Sequence, residues 1–387
     1  MALVVYLLRA ALPGSLFQAS RASYFNYLAD VFLHRSLSLR LHPSYQLDLV
    51  NYAGEQYLYW PPLPAILIMP LVALFGVGMS DLIYTAIFGA ITVALVARML
   101  ALLDEINLAP LSIERRGLLV ATIAFGSVLF ILAPYGRVWY TSQIVGWGCV
   151  LLAIAAALKQ RGRWDYFLAG LAFACAALTR VPLLLNGVWV AYYLLQRDWG
   201  RPARWRVGAI LCGIIPVLVA LVLLGWYNAA RFGNPLEMGT TWHNIDLSLR
   251  GDLARYGLFS LHYLPVNLYY HFVASPLDIY YRGMAGGLFW MTPVLFGAPY
   301  AIWRWRHRPL VWSLVLTCAL VYLPIGLVIS PGNIYGPRYL LDLMPPLLVL
   351  TALGIQRWRM GLLHILLLIS CAVYAFGSIL TLLLPYS

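Results

Sequence analysis

Three carboxylates, Asp30, Asp48 and Glu55, lie in one aromatic-rich stretch, SRASYFNYLADVFLHRSLSLRLHPSYQLDLVNYAGEQYLYWPPLP. A carboxylate near apolar surface holds a proton more readily because desolvation penalises its charge, which suits a general base. The competing reading makes each a solvated loop acid paired with Arg21, Arg35 or Arg40. A second group is cationic: Arg137 in PYGRVWYTSQ, Arg180 in LTRVP, and Arg338 with Tyr339 at the end of SPGNIYGPRY. Guanidinium forks bind phosphate in bidentate fashion, and an arginine at the mouth of a membrane helix is costly unless paired or facing a polar cavity. Arg338 has two such partners, an anionic phosphate or Asp342 one helical turn on. The third group, in WYNAARFGNPLEMGTTWHN, contains Arg231, Glu237 and His243. Arg231 and Glu237 read equally as a structural ion pair or as catalytic residues. His243 and the later His262 are acid-base groups or hydrogen-bonding scaffold.

The elements that must position these residues are membrane helices. Of the 387 residues, 62% are hydrophobic and 10% charged, with a mean hydropathy of +0.80. A soluble domain has roughly 45–50% apolar and about 25% charged residues, so a soluble fold is excluded. The net charge of +12 rests on 26 basic residues, of which Lys159 is the only lysine. That bias suits phosphate recognition and follows equally from GC-rich coding. Cys149, Cys175, Cys212, Cys318 and Cys371 all lie in apolar runs without ligand spacing, so they read as small core residues and imply no zinc, haem or disulfide framework. No cofactor is firmly implied. A divalent cation is open, since Asp30 and Asp48 could be ligands, but their spacing is not a metal motif.

Short basic loops stay cytoplasmic, and five of them orient the chain: Arg115-Arg116, 159–163, 197–206, 304–308 and 357–359. Between them fit helices at 1–14, 82–103, 118–134, 144–158, 166–178, 181–196, 207–225, 287–302, 309–329, 340–355 and 360–383. The expectation is an all-α integral membrane protein of about eleven transmembrane helices, forming one polytopic domain over 1–387. The apolar run 61–78 breaks the parity and carries Pro61, Pro62, Pro64 and Pro70, so it reads as an interfacial or re-entrant helix. Tyr24, Tyr27, Leu28, Val31 and Phe32 recur at helical spacing and predict an interfacial helix with Asp30 on its polar side. This layout leaves 15–60 and 226–286 as large segments on the external face, with short turns at 135–143, 179–181 and 330–338. The chemically capable residues named above fall in these five segments or at their edges. Three arginines at external helix ends, Arg137, Arg180 and Arg338, would surround a phosphate.

The order of YLADVFLHRSLSL, DLVNYAGEQYLYWPPLPAILIMP, TRVP, YNAARFGNPLEMG and YGPRYLLDLMPPL resembles bacterial polytopic glycosyltransferases of the GT-C superfamily, on the protein-mannosyltransferase-like branch, over 24–346. The resemblance implies sugar transfer from a polyprenyl-phosphate carrier to a lipid, glycan or protein acceptor on the non-cytoplasmic face of a bacterial inner membrane, with membrane lipids as surroundings and no nucleic acid. It also implies an acid in the first external loop as base and basic residues holding the carrier phosphate. The chain departs from the family in two places. Arg21 and Ala22 occupy the positions of the usual acidic pair, which leaves Asp30 or Asp48 as base and Glu55 third. Trp60 precedes PPLP where aminoarabinose transferases carry a phosphate-binding lysine, so that contact falls to Arg338 or Arg180. Two other readings remain: a transporter or flippase of lipid-linked saccharides, and a non-catalytic GT-C relative. A transporter would show inverted repeats and midplane ionisable residues, whereas these charges cluster at the external boundary.

Overall fold

A computed structural model of the protein describes residues 1–280, 283–284 and 286–383. It is helical throughout, with two small hairpins, and the helices used below are α1 (Ala2–Ala11), α2 (Tyr24–Leu33), α3 (Leu63–Phe75), α4 (Asp81–Glu105), α5 (Ile113–Phe125), α6 (Val138–Ala157), α7 (Arg163–Ala177), α8 (Gly187–Arg197), α9 (Ala203–Phe232), α10 (Gly297–Arg304), α11 (Pro309–Leu327), α12 (Met344–Gly354) and α13 (Met360–Leu383).

Among the described residues, six helices are long and apolar enough to cross a membrane: α4, α6, α9, α11, the run Arg338–Arg357 that contains α12, and α13. A seventh forms if α5 and Leu129–Tyr135, bent by 46° at the Gly126 break, count as one span. The count of eleven is therefore not reached by single helices. The segments expected at 1–14, 166–178, 181–196 and 287–302 become helices of 10, 15, 11 and 8 residues. Each is short of the ~20 residues a bilayer needs. In two of them proline explains the break: Pro182 and Pro293 lie in 3₁₀ turns, Val181–Asn186 and Pro293–Phe296, that divert the chain before α8 and α10 begin.

Close crossings hold the bundle together. A Cβ on Gly170 of α7 would overlap the Gly213 carbonyl of α9, and one on Gly354 of α12 would overlap the Gly297 carbonyl of α10. Small residues let the backbones approach this closely, as membrane helices require. The outward face of α9 is apolar, with Val207, Leu211, Ile215, Leu218 and Val222 about half exposed or more. Such a surface suits lipid rather than water. One large core, containing Trp147 and Trp189, runs through the bundle.

A second core joins α2, the first loop and α3 through Tyr24, Leu28, Leu49, Trp60 and Ile68. The helix expected at 24–33 is present and buries Tyr24, Phe25, Leu28, Ala29 and Val31. The run 61–78 forms the 13-residue α3, whose exposed residues Ile66, Leu67, Leu74 and Phe75 are apolar. After α2, strands β1 (Leu49–Tyr52) and β2 (Glu55–Leu58) pair antiparallel, Leu49 opposite Leu58 and Tyr52 opposite Glu55. Their two-residue turn, Ala53-Gly54, has positive φ at both positions, which matches the twist of a tight hairpin.

The five segments singled out in the sequence pack together. The Asp48 amide donates to the Asn244 carbonyl and Val138 to Ala22, at 2.8–2.9 Å, and the Ser142 hydroxyl donates to the Thr179 carbonyl at 3.4 Å. Asn333 donates to the Tyr270 carbonyl, and Gln143 to that of Arg338. At the ends of the bundle marked by the basic loops, Arg98 pairs with Glu105, Arg116 with Asp104, and Arg197 with both Asp165 and Asp198.

Candidate active site

Asp48 is the residue on which this cluster of segments converges. It precedes β1 in a left-handed conformation, φ +62°, which Asp tolerates better than most residues. The conformation is held from both sides, because the Asp48 amide donates to Asn244 O and the Asn244 amide donates to Leu49 O. The side chain keeps 19% exposure. Its Oδ2 accepts the Trp139 indole N–H at 2.8 Å, and its Oδ1 lies 3.8 Å from His243 Nε2. Burial pushes the carboxyl above the usual carboxylate range. The Trp139 hydrogen bond, His243 and the Arg338 guanidinium oppose that shift, Asp246 adds to it, and burial prevails.

Arg338 stands at the start of the helical run Arg338–Arg357, half-buried. Its guanidinium lies 4.9–6.0 Å from the ring centroids of Tyr339, Tyr140 and Trp139. The one hydrogen bond its side chain makes among the described residues goes from Nη2 to the Tyr339 hydroxyl, 3.3 Å, and its buried Nε has no partner. No carboxylate among the described residues forms an ion pair with it. A half-buried guanidinium without a carboxylate partner has the chemistry to hold an anion. Tyr59 lies between the charged groups: burial raises its phenol well above the usual range, Asp48 and Tyr339 add to the rise, and Arg180 and Arg338 oppose it.

Asp342 pairs with Arg180 at 2.9 Å, not with Arg338. That pairing neutralises both charges, although Arg180 Nε and Asp342 Oδ1 keep no hydrogen-bond partner, and it leaves Arg338 without a carboxylate among the described residues. Asp30 sits near the end of α2, beside His34 at 3.3 Å and Arg40 at 3.8 Å, the local pairing of the loop-acid reading. Glu55 is exposed at the hairpin tip. Arg137 also has positive φ, gives its amide to Asp81 Oδ2 at 2.7 Å, and sets its guanidinium 5.8 Å from the Tyr135 ring centroid.

Arg231 and Glu237 form no ion pair among the described residues. Arg231 is buried in the last turn of α9, where it donates to Leu58 O at 2.6 Å and Asn228 Oδ1 at 2.8 Å and stacks on Tyr227. Glu237 instead accepts from the Gly239 amide and the Thr241 hydroxyl, 2.6 and 2.8 Å. Those bonds shape the turn that delivers His243. Gly239 needs φ +92° there, and its Cα approaches Phe232 and Val50 so closely that a Cβ would be 2.8 Å from the ring. His262 stacks on Tyr256, with ring centroids 3.8 Å apart. Among the described residues no three His, Cys, Asp or Glu side chains come together to hold a metal ion.

Trp139, Tyr59 and Gln143 belong to this site but were not among the candidates read from the sequence. Their signal was present, because RVWYTSQ and YLYWPP place hydrogen-bonding aromatics directly beside candidate arginines and the PPLP motif. A buried indole N–H requires an acceptor, and Asp48 is the one that Trp139 reaches.

The architecture is the GT-C fold. No family model matches the chain, nor does any curated protein. ArnT from Cupriavidus metallidurans bound to undecaprenyl phosphate is similar in structure, with a TM-score of 0.57 at 16% identity over 98% of this chain and 63% of ArnT. Its apo state gives 0.55 at 16% identity, covering 98% and 62%. The Archaeoglobus fulgidus oligosaccharyltransferase, complexed with zinc and sulfate, gives 0.46 at 11% identity over 100% of this chain and 52% of its own. The chain spans under two thirds of the ArnT chain, and at this identity the likeness is one of fold.

Proposed function

We propose that the protein is a glycosyltransferase that moves a sugar from a polyprenyl-phosphate carrier to a hydroxyl acceptor on the non-cytoplasmic face of a bacterial inner membrane. The observation that carries this reading is the opposition of Asp48, largely withdrawn from water, to Arg338, a cation with no carboxylate partner among the described residues. The undecaprenyl phosphate held by the structurally similar ArnT supports a polyprenyl-phosphate donor.

The chemistry is a single displacement at the anomeric carbon with an oxocarbenium-like transition state. Asp48 accepts the acceptor's hydroxyl proton as the oxygen attacks. The bond from the anomeric carbon to the phosphate oxygen breaks, and its electron pair leaves with the polyprenyl phosphate. Arg338 stabilises the charge that collects on this leaving phosphate. Tyr339 hydrogen-bonds the guanidinium and, with Trp139 and Tyr140, orients it. Arg180, held by Asp342, adds positive field at Tyr59.

The test is a transfer assay on the purified full chain with a panel of polyprenyl-phosphate-linked hexoses and pentoses. Release of polyprenyl phosphate from at least one donor is expected, with loss of release in Asp48→Asn. No turnover of any donor, with binding of none, refutes the reading.

A further inference from the structure

We infer that His243 is a second proton acceptor in the transfer step, receiving from Asp48 the proton taken from the acceptor hydroxyl; this rests on the transfer reading above. The argument begins with the ring's hydrogen bonds. His243 Nδ1 lies 2.8 Å from the Thr240 carbonyl oxygen. A carbonyl only accepts, so Nδ1 carries the hydrogen, and the neutral ring is left with a bare lone pair on Nε2. That lone pair faces Asp48 Oδ1 at 3.8 Å.

This separation is too long for a direct hydrogen bond, but it suits an inserted hydroxyl. An oxygen about 2.7 Å from each atom fits the gap: the acceptor hydroxyl gives its one hydrogen to Oδ1, and a water that later takes its place can accept from protonated Oδ1 and donate to Nε2. Trp139 already occupies Oδ2, so Oδ1 is the oxygen left for the substrate. The imidazole is also fixed in place. His243 bridges Val50 of β1 through the backbone, and its ring sits edge-on to Tyr59 with centroids 5.5 Å apart.

The proton then has a defined route. The acceptor O–H bond breaks as the bond from that oxygen to the anomeric carbon forms. The anomeric carbon's bond to phosphate breaks, and the electron pair leaves with the carrier. The proton moves to Asp48 Oδ1 as that bond forms; when the product leaves, a water in the gap accepts it from Oδ1 and gives a proton to His243 Nε2, producing an imidazolium beside a restored carboxylate. Nδ1–H keeps its bond to Thr240 throughout. The charged and titratable groups facing the pair are Asp246, Arg338 and Tyr59. Loss of the proton to water returns the site to its starting state.

Two measurements on the full chain test this. ¹⁵N NMR of histidine-labelled protein, assigned with His243→Asn, should show a neutral His243 protonated at Nδ1, and its Nε2 resonance should move in Asp48→Asn, which removes the facing carboxylate. A neutral ring protonated at Nε2, or an Nε2 resonance unmoved in Asp48→Asn, overturns the inference. Turnover of undecaprenyl-phosphate-linked hexoses should fall by roughly 10²- to 10⁴-fold in His243→Asn, which can still donate to Thr240 O, with partial rescue of His243→Gly by imidazole. Undiminished turnover in His243→Asn also overturns it. If the wild-type chain turns over no donor, the transfer reading fails, and the NMR arm still decides whether the pair shares a proton.

Discussion

Asp48→Asn separates the chemistry of this carboxylate from its structural contacts. The replacement is nearly isosteric and tolerates the left-handed φ of +62° that the backbone requires. Its amide oxygen can accept the Trp139 indole at 2.8 Å, and its NH₂ then faces the bare His243 Nε2 without repulsion. What disappears is the ability to take a proton. Loss of a general base lowers turnover by roughly 10²- to 10⁴-fold. In barrier terms that is about 3–5.5 kcal/mol. The same variant makes a second, opposite prediction about stability. Burial raises the proton affinity of folded Asp48 above that of the unfolded chain. The folded state therefore holds more protons, and its stability falls as pH rises from the ordinary carboxylate range through the raised value. The amide has no such charge to desolvate. Asp48→Asn should therefore melt higher than wild type at neutral pH, with the gap closing in acid. Donor turnover and thermal unfolding, measured between pH 4 and 8, check both. An active Asp48→Asn refutes the base assignment, and a variant less stable than wild type at neutral pH refutes the desolvation argument. Asp48→Ala is the contrast: it strands the Trp139 N–H, at roughly 1–3 kcal/mol, and should lose stability as well as turnover.

Other expectations follow from the same geometry. Arg338→Ala breaks no ion pair, so its melting temperature should move little, while the donor KM rises roughly 10- to 100-fold for one lost charge-assisted contact; Arg338→Lys should recover part of that in steady-state kinetics. Arg180→Ala leaves Asp342 buried and unpaired, a loss of about 3–5 kcal/mol in chemical denaturation. The double variant Arg180→Ala/Asp342→Asn should lose less than the sum of the two single changes, and strict additivity would show that the pair does not interact. Gly170→Ala should lower the melting temperature by forcing α7 from α9, at about 1–3 kcal/mol, whereas Gly251→Ala, where a Cβ meets nothing, should be neutral by comparison.

The fold was legible because it is written in local signals. Apolar run length gave the spanning helices, proline marked where they fail, and the order of short motifs gave the GT-C architecture that the structural comparison shows. The count of eleven spans is not confirmed, with six or seven helices among the described residues long and apolar enough, because run length does not reveal where a run breaks. Pro182 and Pro293 start 3₁₀ turns inside what read as continuous helices, and that conversion depends on tertiary packing. The candidate site was legible only as segments: the five that collected the unusual polar residues pack together.

Partner choice within the site was not legible, for a physical reason. Asp342 lies one helical turn from Arg338, so sequence spacing favours that pair. The 3₁₀ course of Arg338–Leu343 turns Asp342 toward Arg180, 162 residues away in sequence. That exchange decides the chemistry of the site. Paired with Asp342, Arg338 would be a neutralised structural group. Because Arg180 takes the carboxylate, Arg338 keeps its charge among three aromatic rings, in the field of Asp48. An ionised carboxylate withdrawn from water and a cation with no carboxylate partner among the described residues are each unfavourable in a folded core. On the proposed reading, an acceptor hydroxyl and the phosphate of a polyprenyl-phosphate sugar would relieve both at once.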